Sequence, residues 1–251
     1  MSHPVTPPIA LQLYTLRTLL PDALEPTLRA VAAAGYRHVE LAGLYGRTAN
    51  EMRAILDEVG LTVVAAHVPL DRFEADLTGV AHEAKALGYQ WVLVPWIAPE
   101  ARFPELVDSL PPRLDEWARH LAGEGLKLAY HNHEFEFEIA KDGVSLFDAI
   151  VQRTDSSLVL LELDVYWAAV AGHDPSALIG TLGERVRLLH AKDRAPDGLY
   201  TNVGQGDLDW ITIVDSAKAA NVEVYIVEHD EPPAPLDDIR VSFTNLTNAL
   251  Q

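Results

Sequence analysis

The stretch LAYHNHEFEF, residues 128–137, places His131 and His133 two positions apart behind an apolar run. On a strand, residues two apart share a face. The same grammar recurs further along. LLELDVYW carries Glu162 and Asp164, LLHAKDR carries His190 and Lys192, and IVEHDEP carries Glu228 and His229. Each set closes a short apolar run. His, Asp and Glu together, with no cysteine in the chain, suit a divalent ion such as Mn²⁺, Co²⁺, Mg²⁺ or Zn²⁺. One ligand from each of four successive strands would surround such an ion and leave a side open for substrate. Taken singly these residues have plainer uses: a strand-end His is commonly hydrogen-bonded structure, and a strand-end Asp commonly caps the next helix. The recurrence over four strands is what favours a metal.

The elements that must position these residues follow a repeating unit. AVAAAGYRHVEL is a helix tail, a glycine and a β-rich run. The pattern returns at ILDEVGLTVVAA, EAKALGYQWVLV and LAGEGLKLAY, and at KAANVEVYIV with Asn221 in place of the glycine. Gly35, Gly60, Gly88, Gly125 and Asn221 read as left-handed helix C-terminal residues; Gly183 lies two residues early for its strand. Strands are expected at about 9–14, 37–42, 61–67, 90–96, 126–133, 157–164, 186–192 and 222–228. Amphipathic segments separate them, and Thr48 with Glu51 fits a capping box. Eight alternations predict a closed (β/α)₈ barrel, a TIM barrel, forming one domain over 1–251. An open doubly wound sheet would show a glycine-rich loop after its first strand; here that strand runs into LYTLRTLLPDAL.

Composition narrows the function. Nineteen Lys and Arg face 37 Asp and Glu, a formal charge of −18. That field repels phosphate backbones and anionic membranes, so neither nucleic acid nor membrane is expected as a partner. MSHPVTPPIA has no charged-then-apolar leader pattern, and a cytoplasmic location is expected. A homo-oligomer is left open.

In a TIM barrel the chemistry sits at the C-terminal strand ends. These are Gln12 and Tyr14, Glu40, His67, Trp96, His131 and His133, Glu162 and Asp164, His190 and Lys192, then Glu228 and His229. With LQLYTLR, GYRHVELAGLYG, AAHVPL, YHNHEFEF, LELDVYWAAVAGHDP, LLHAKDR, GQGDLDW and VEHDEP, the chain resembles the sugar phosphate isomerase/epimerase family, with its xylose isomerase-like TIM barrel. The resemblance implies a divalent metal held by Glu, Asp, His and Glu from strands 5 to 8. By position these are Asp164, His190 and Glu228, while the strand 5 Glu is replaced by His131. Either His131 is the fourth ligand or Glu134 or Glu136 reaches back. The implied activity is that of an isomerase or epimerase on a small sugar or cyclitol, with proton removal next to a carbonyl through an enediolate. His133, His131, Glu228 and Lys192 are the candidate catalytic residues. Glu40, His67, Trp96, Glu136, Trp167 and Arg194 are candidate substrate contacts, with Tyr14 in an apolar wall; Lys192 could instead pair with Glu162. The same first step serves a keto-sugar or inosose dehydratase. An apurinic endonuclease-like enzyme and a non-catalytic sugar-binding barrel are the remaining alternatives.

Overall fold

A computed structural model describes residues 7–251; the N-terminal segment read above for a leader falls largely within 1–6, outside the described residues. Eight parallel strands close into a barrel: β1 Ile9–Gln12, β2 His38–Leu41, β3 Thr62–His67, β4 Trp91–Val94, β5 Lys127–His131, β6 Val159–Asp164, β7 Val186–Ala191 and β8 Val224–Val227. Each pairs with its sequence neighbour, and β1 closes on β8. The expected barrel is thus the one observed. The predicted strand ranges are centred correctly and run one or two residues long at some ends.

Local chemistry explains the alternation. The helix Ala49–Val59 starts with a capping box, Thr48 accepting from the Glu51 amide while the Glu51 carboxylate accepts from the Thr48 amide. It ends at Gly60 with φ 74°. Asn221, at φ 60°, takes the left-handed conformation that glycine takes elsewhere in the repeat, an allowance Asn makes more cheaply than other side-chain-bearing residues. One covered face of each helix packs on the outside of the barrel, where most of the apolar core lies.

Inside the barrel the layers change character from bottom to top. The floor is a separate apolar plug of Ala10, Ala65, Trp91, Leu93, Ala129, Leu188, Val224 and Ile226. Strand periodicity then raises polar residues above it: His131 stands two beyond Ala129, and His190 two beyond Leu188. The register aligns His131 with Glu162, and Asp164 with His190. Register shifts fall at Val39/Glu40 and at Leu161/Glu162. Such irregularities re-aim side chains at barrel rims, and here each one introduces a buried glutamate.

Candidate active site

Two polar storeys stand on the plug. In the lower one, Glu162 Oε2 lies 2.9 Å from His67 Nε2, 3.0 Å from His131 Nδ1 and 3.1 Å from His190 Nε2. Glu40 Oε1 lies 3.0 Å from His67 Nε2, 2.9 Å from His190 Nε2 and 2.5 Å from the Gln12 amide nitrogen. Burial alone would lower His67, yet Glu40 and Glu162 outweigh it and hold its imidazole up at about 9. Burial raises Glu40, but the flanking His67 and His190 bring it down to about 2. Burial and the Glu40 charge raise Glu162. A protonated His67 therefore neutralises part of this acidic storey.

The upper storey holds Asp164, Glu228 and Lys192. Asp164 divides its carboxylate. Oδ1 accepts from the Tyr166 and Trp167 amides at 2.9 and 3.1 Å, capping the helix Val165–Val170. Oδ2 is buried with no hydrogen-bond partner and faces His131 Nε2 at 4.0 Å and His190 Nδ1 at 3.9 Å. Glu228 Oε2 is 3.1 Å from His190 Nδ1. Asn132 fixes the Asp164 backbone by accepting from its amide at 3.0 Å. One donor atom from each of His131, Asp164, His190 and Glu228 lies within 4.8 Å of the others.

This donor set fits a divalent cation. The Asp164 Oδ2, without a hydrogen bond and paired only loosely with the Lys192 ammonium at 3.4 Å, is aimed into it, and each histidine turns one nitrogen up toward the set and the other down onto a glutamate. The lower contacts orient the rings, as carboxylates behind metal-bound histidines do: a proton on His131 Nδ1 leaves Nε2 free above. Burial alone would lower His190, but Glu162 and Glu228 outweigh it and hold the ring charged, so His190 would release its Nδ1 proton to ligate. Burial, with the nearby cations, lowers His131 far below the usual imidazole range, into the neutral form a ligand requires. A second group, His67, His131, Glu162 and His190, also converges. It spends the nitrogens that orient the upper set, and the His67 cation already serves its one carboxylate, Glu162.

A cavity of about 500 Å³ opens above, lined by His67, His131, His133, Lys192 and Glu228 at its base and by Tyr14, Trp96, Trp167 and Tyr200 around its sides. His133 is held by its backbone, whose amide donates to Glu136 Oε2 at 2.7 Å. Its ring lies between Phe135 and Trp167, and its Nδ1 has no partner. Burial, then the Lys192 charge, push it down to about 3, so the ring is neutral.

Of the sequence candidates, His131, Asp164, His190, Glu228, His133, Lys192, His67, Trp96 and Trp167 thus gather around one space. Three expected substrate contacts do not line it. Glu40 lies in the lower storey, fully buried. Glu136 is buried and engaged by the Tyr130 hydroxyl at 2.8 Å as well as the His133 amide, which also removes it as a strand 5 ligand; Glu134 is outside both donor groups. Arg194 turns away into a different cleft, donating to Asp207 at 3.1 Å and to the Ala169 carbonyl at 3.0 Å. The pairing of Lys192 with Glu162 is absent, because β6 raises Asp164 rather than Glu162 to the level of the ammonium. Lys192 instead meets Glu228, Asp164 and Asp230. Asp230, in the acidic loop after β8, lines the cavity. The GQGDLDW segment forms a wall folded around buried Asp193, whose carboxylate accepts from the Arg194, Gly204 and Gly206 amides and the Trp210 indole.

Residues 28–245 match the profile of the xylose isomerase-like TIM barrel family. The chain belongs to that family. Among its relatives, an inosose dehydratase of Geobacillus kaustophilus is 26% identical over 261 residues, covering 84% of this chain and 81% of that protein. Among solved structures, a sugar phosphate isomerase/epimerase from Parabacteroides distasonis superposes with a TM-score of 0.85 at 21% identity, covering 100% of this chain and 98% of that one. An IOLI protein with a binding zinc atom superposes at 0.73 with 16% identity, covering 97% and 98%. These two establish likeness of fold. No helix among the described residues is long and apolar enough to cross a membrane.

Proposed function

We propose that this chain is a divalent-metal-dependent dehydratase of a keto-sugar or keto-cyclitol, working by proton removal next to the carbonyl. The observation that carries it is the convergence of His131, Asp164, His190 and Glu228 below a cavity of substrate size. When bound there, the metal supplies Lewis-acid polarisation of the carbonyl. His133, neutral and lining the cavity base, takes the α proton. Lys192 orients a substrate hydroxyl, and the aromatic side walls of Trp96 and Trp167 cover the ring faces and exclude water.

Two observations favour elimination over the isomerase or epimerase outcome expected first. Epimerisation of the family type uses metal-bound glutamates on opposite faces of the substrate; here strand 5 brings His131, so one carboxylate of that pair is missing. In elimination a single base suffices: the α C–H electrons form the C=C bond, the β C–O bond breaks, and the hydroxyl departs with a proton as water. The relative named inosose dehydratase supports the same outcome and the keto-cyclitol class.

The test is incubation of Mn²⁺- or Co²⁺-loaded protein with an inosose in D₂O. Water loss with a rise in conjugated-enone absorbance, abolished in D164A and H190A along with metal content, is the expected result. Deuterium wash-in without water loss restores the isomerase reading, and neither change with metal bound removes catalysis of this class.

A further inference from the structure

Lys192 lies in an unusual place for a substrate contact. Its side chain is 1% exposed, and its ammonium lies 2.8 Å from Glu228 Oε2 and 3.4 Å from Asp164 Oδ2. Those two oxygens are the ones turned toward His190 Nδ1 in the metal donor set. A third carboxylate, Asp230, outside that set, touches the ammonium at 3.0 Å. The rings of Trp167, Tyr200 and Tyr166 surround it at 5.4, 5.7 and 5.9 Å, within the range of cation–π attraction.

We propose that Lys192 is a resident cation that holds the ligand carboxylates before the metal arrives and gives up Glu228 and Asp164 when it does. The proposal rests on the metal reading above. Two buried carboxylates drawn together without a counter-charge repel each other strongly in a medium of low polarity; Lys192 removes that penalty from the metal-free protein. The same ammonium cannot stay against both oxygens once a divalent ion binds them, since the two cations would then be neighbours. The flexible four-carbon stem allows a short retreat, and Asp230 with the aromatic rings gives the ammonium somewhere to rest. Metal entry is therefore an exchange of one cation for another, and the affinity is lower than the four ligands alone would give.

The test strips the protein with EDTA and measures Mn²⁺ affinity by equilibrium dialysis for wild type, K192M, K192Q and K192R, with D164A marking binding at this site. K192M and K192Q are expected to bind at least tenfold more tightly, to melt lower in EDTA, and to gain more in Tm on metal addition. K192R keeps the charge and stays within a few-fold of wild type. A K192M protein that folds only with Mn²⁺ is the same result in its extreme form. Unchanged or weaker affinity in both neutral variants, with wild-type binding sensitive to D164A, overturns the exchange while leaving the metal site standing. No D164A-sensitive binding in any variant removes the metal reading and the exchange with it.

Discussion

Glu162 is predicted to control metal affinity without touching the metal. Its Oε2 sits 2.9–3.1 Å from three imidazole nitrogens, His67 Nε2, His131 Nδ1 and His190 Nε2. An ionised carboxylate oxygen only accepts, so each of those nitrogens carries its hydrogen toward Glu162. For His131 that choice leaves the lone pair on the nitrogen facing Asp164; His190, charged in the metal-free protein, keeps its hydrogen toward Glu162 when it gives up the Nδ1 hydrogen to ligate. E162Q preserves volume but removes the charge, and its amide group offers hydrogens where the rings already point theirs. Relief of that clash shifts the rings toward the other tautomer, which aims a hydrogen into the donor set. Loss of a carboxylate behind a ligating histidine typically weakens metal binding ten- to a hundredfold, or about 1.4–2.8 kcal/mol. Because one oxygen orients two ligands here, the upper end is expected for E162Q and at least as much for E162L. Equilibrium dialysis with Mn²⁺ or Zn²⁺ measures the loss, and circular dichroism checks the fold. A folded E162Q with wild-type affinity, alongside a D164A that has lost binding, would refute the tautomer argument.

H133Q should keep its metal content while kcat falls by roughly 10²–10⁴, the usual worth of a positioned base; metal analysis beside steady-state kinetics on an inosose distinguishes this from loss of a ligand. D193N should cost roughly 2–4 kcal/mol in urea unfolding, because three donors to its Oδ2 lose a charged acceptor and the Arg194 amide can end up facing an amide group; a cost below half a kcal/mol would mean the GQGDLDW wall is held by something else. The His67 charge makes a signed prediction in metal-free buffer. Its folded value is raised to about 9 from an unfolded value near 6.5. The stabilisation is fully present below about pH 6.5 and is lost as pH rises through 9, amounting to roughly 3 kcal/mol at most. The stability difference between wild type and H67Q should shrink over that interval, and a difference independent of pH would show that His67 is neutral in the fold.

The barrel was legible because its signals are local and repeated. A glycine or Asn221 ending most of the helices, and a short apolar run after it, recur often enough to outweigh any one ambiguous segment. The donor set was legible for a related reason. Strand periodicity raises His131, Asp164, His190 and Glu228 at the ends of consecutive strands, and barrel closure brings consecutive strands together.

What sequence periodicity does not encode is height along the barrel axis. Glu162 and Asp164 share a face of β6, yet one stands a storey below the other, and only the lower one reaches His67 across the barrel. Glu40 was read as a wall of the substrate space for the same reason, since a register shift beside it sets its level. Loops add a second kind of blindness. Asp230 follows the last residue of β8 by three positions in an acidic run, where solvation is the default expectation for such a residue. Its partner, Lys192, comes from β7, and their 3.0 Å contact depends on the angle at which the chain leaves β8, an angle set by His229, whose amide donates to Thr15 Oγ1 on the far side of the closure. Arg194 is the converse case: two residues beyond Lys192 it looks like the next inward side chain, but after β7 ends the chain turns into a hairpin pairing Asp193–Arg194 with Tyr200–Thr201, and the strand rule no longer applies. Residues that lie within regular strands could therefore be assigned a face from sequence, whereas those one step past the strand ends required the closed barrel to be seen.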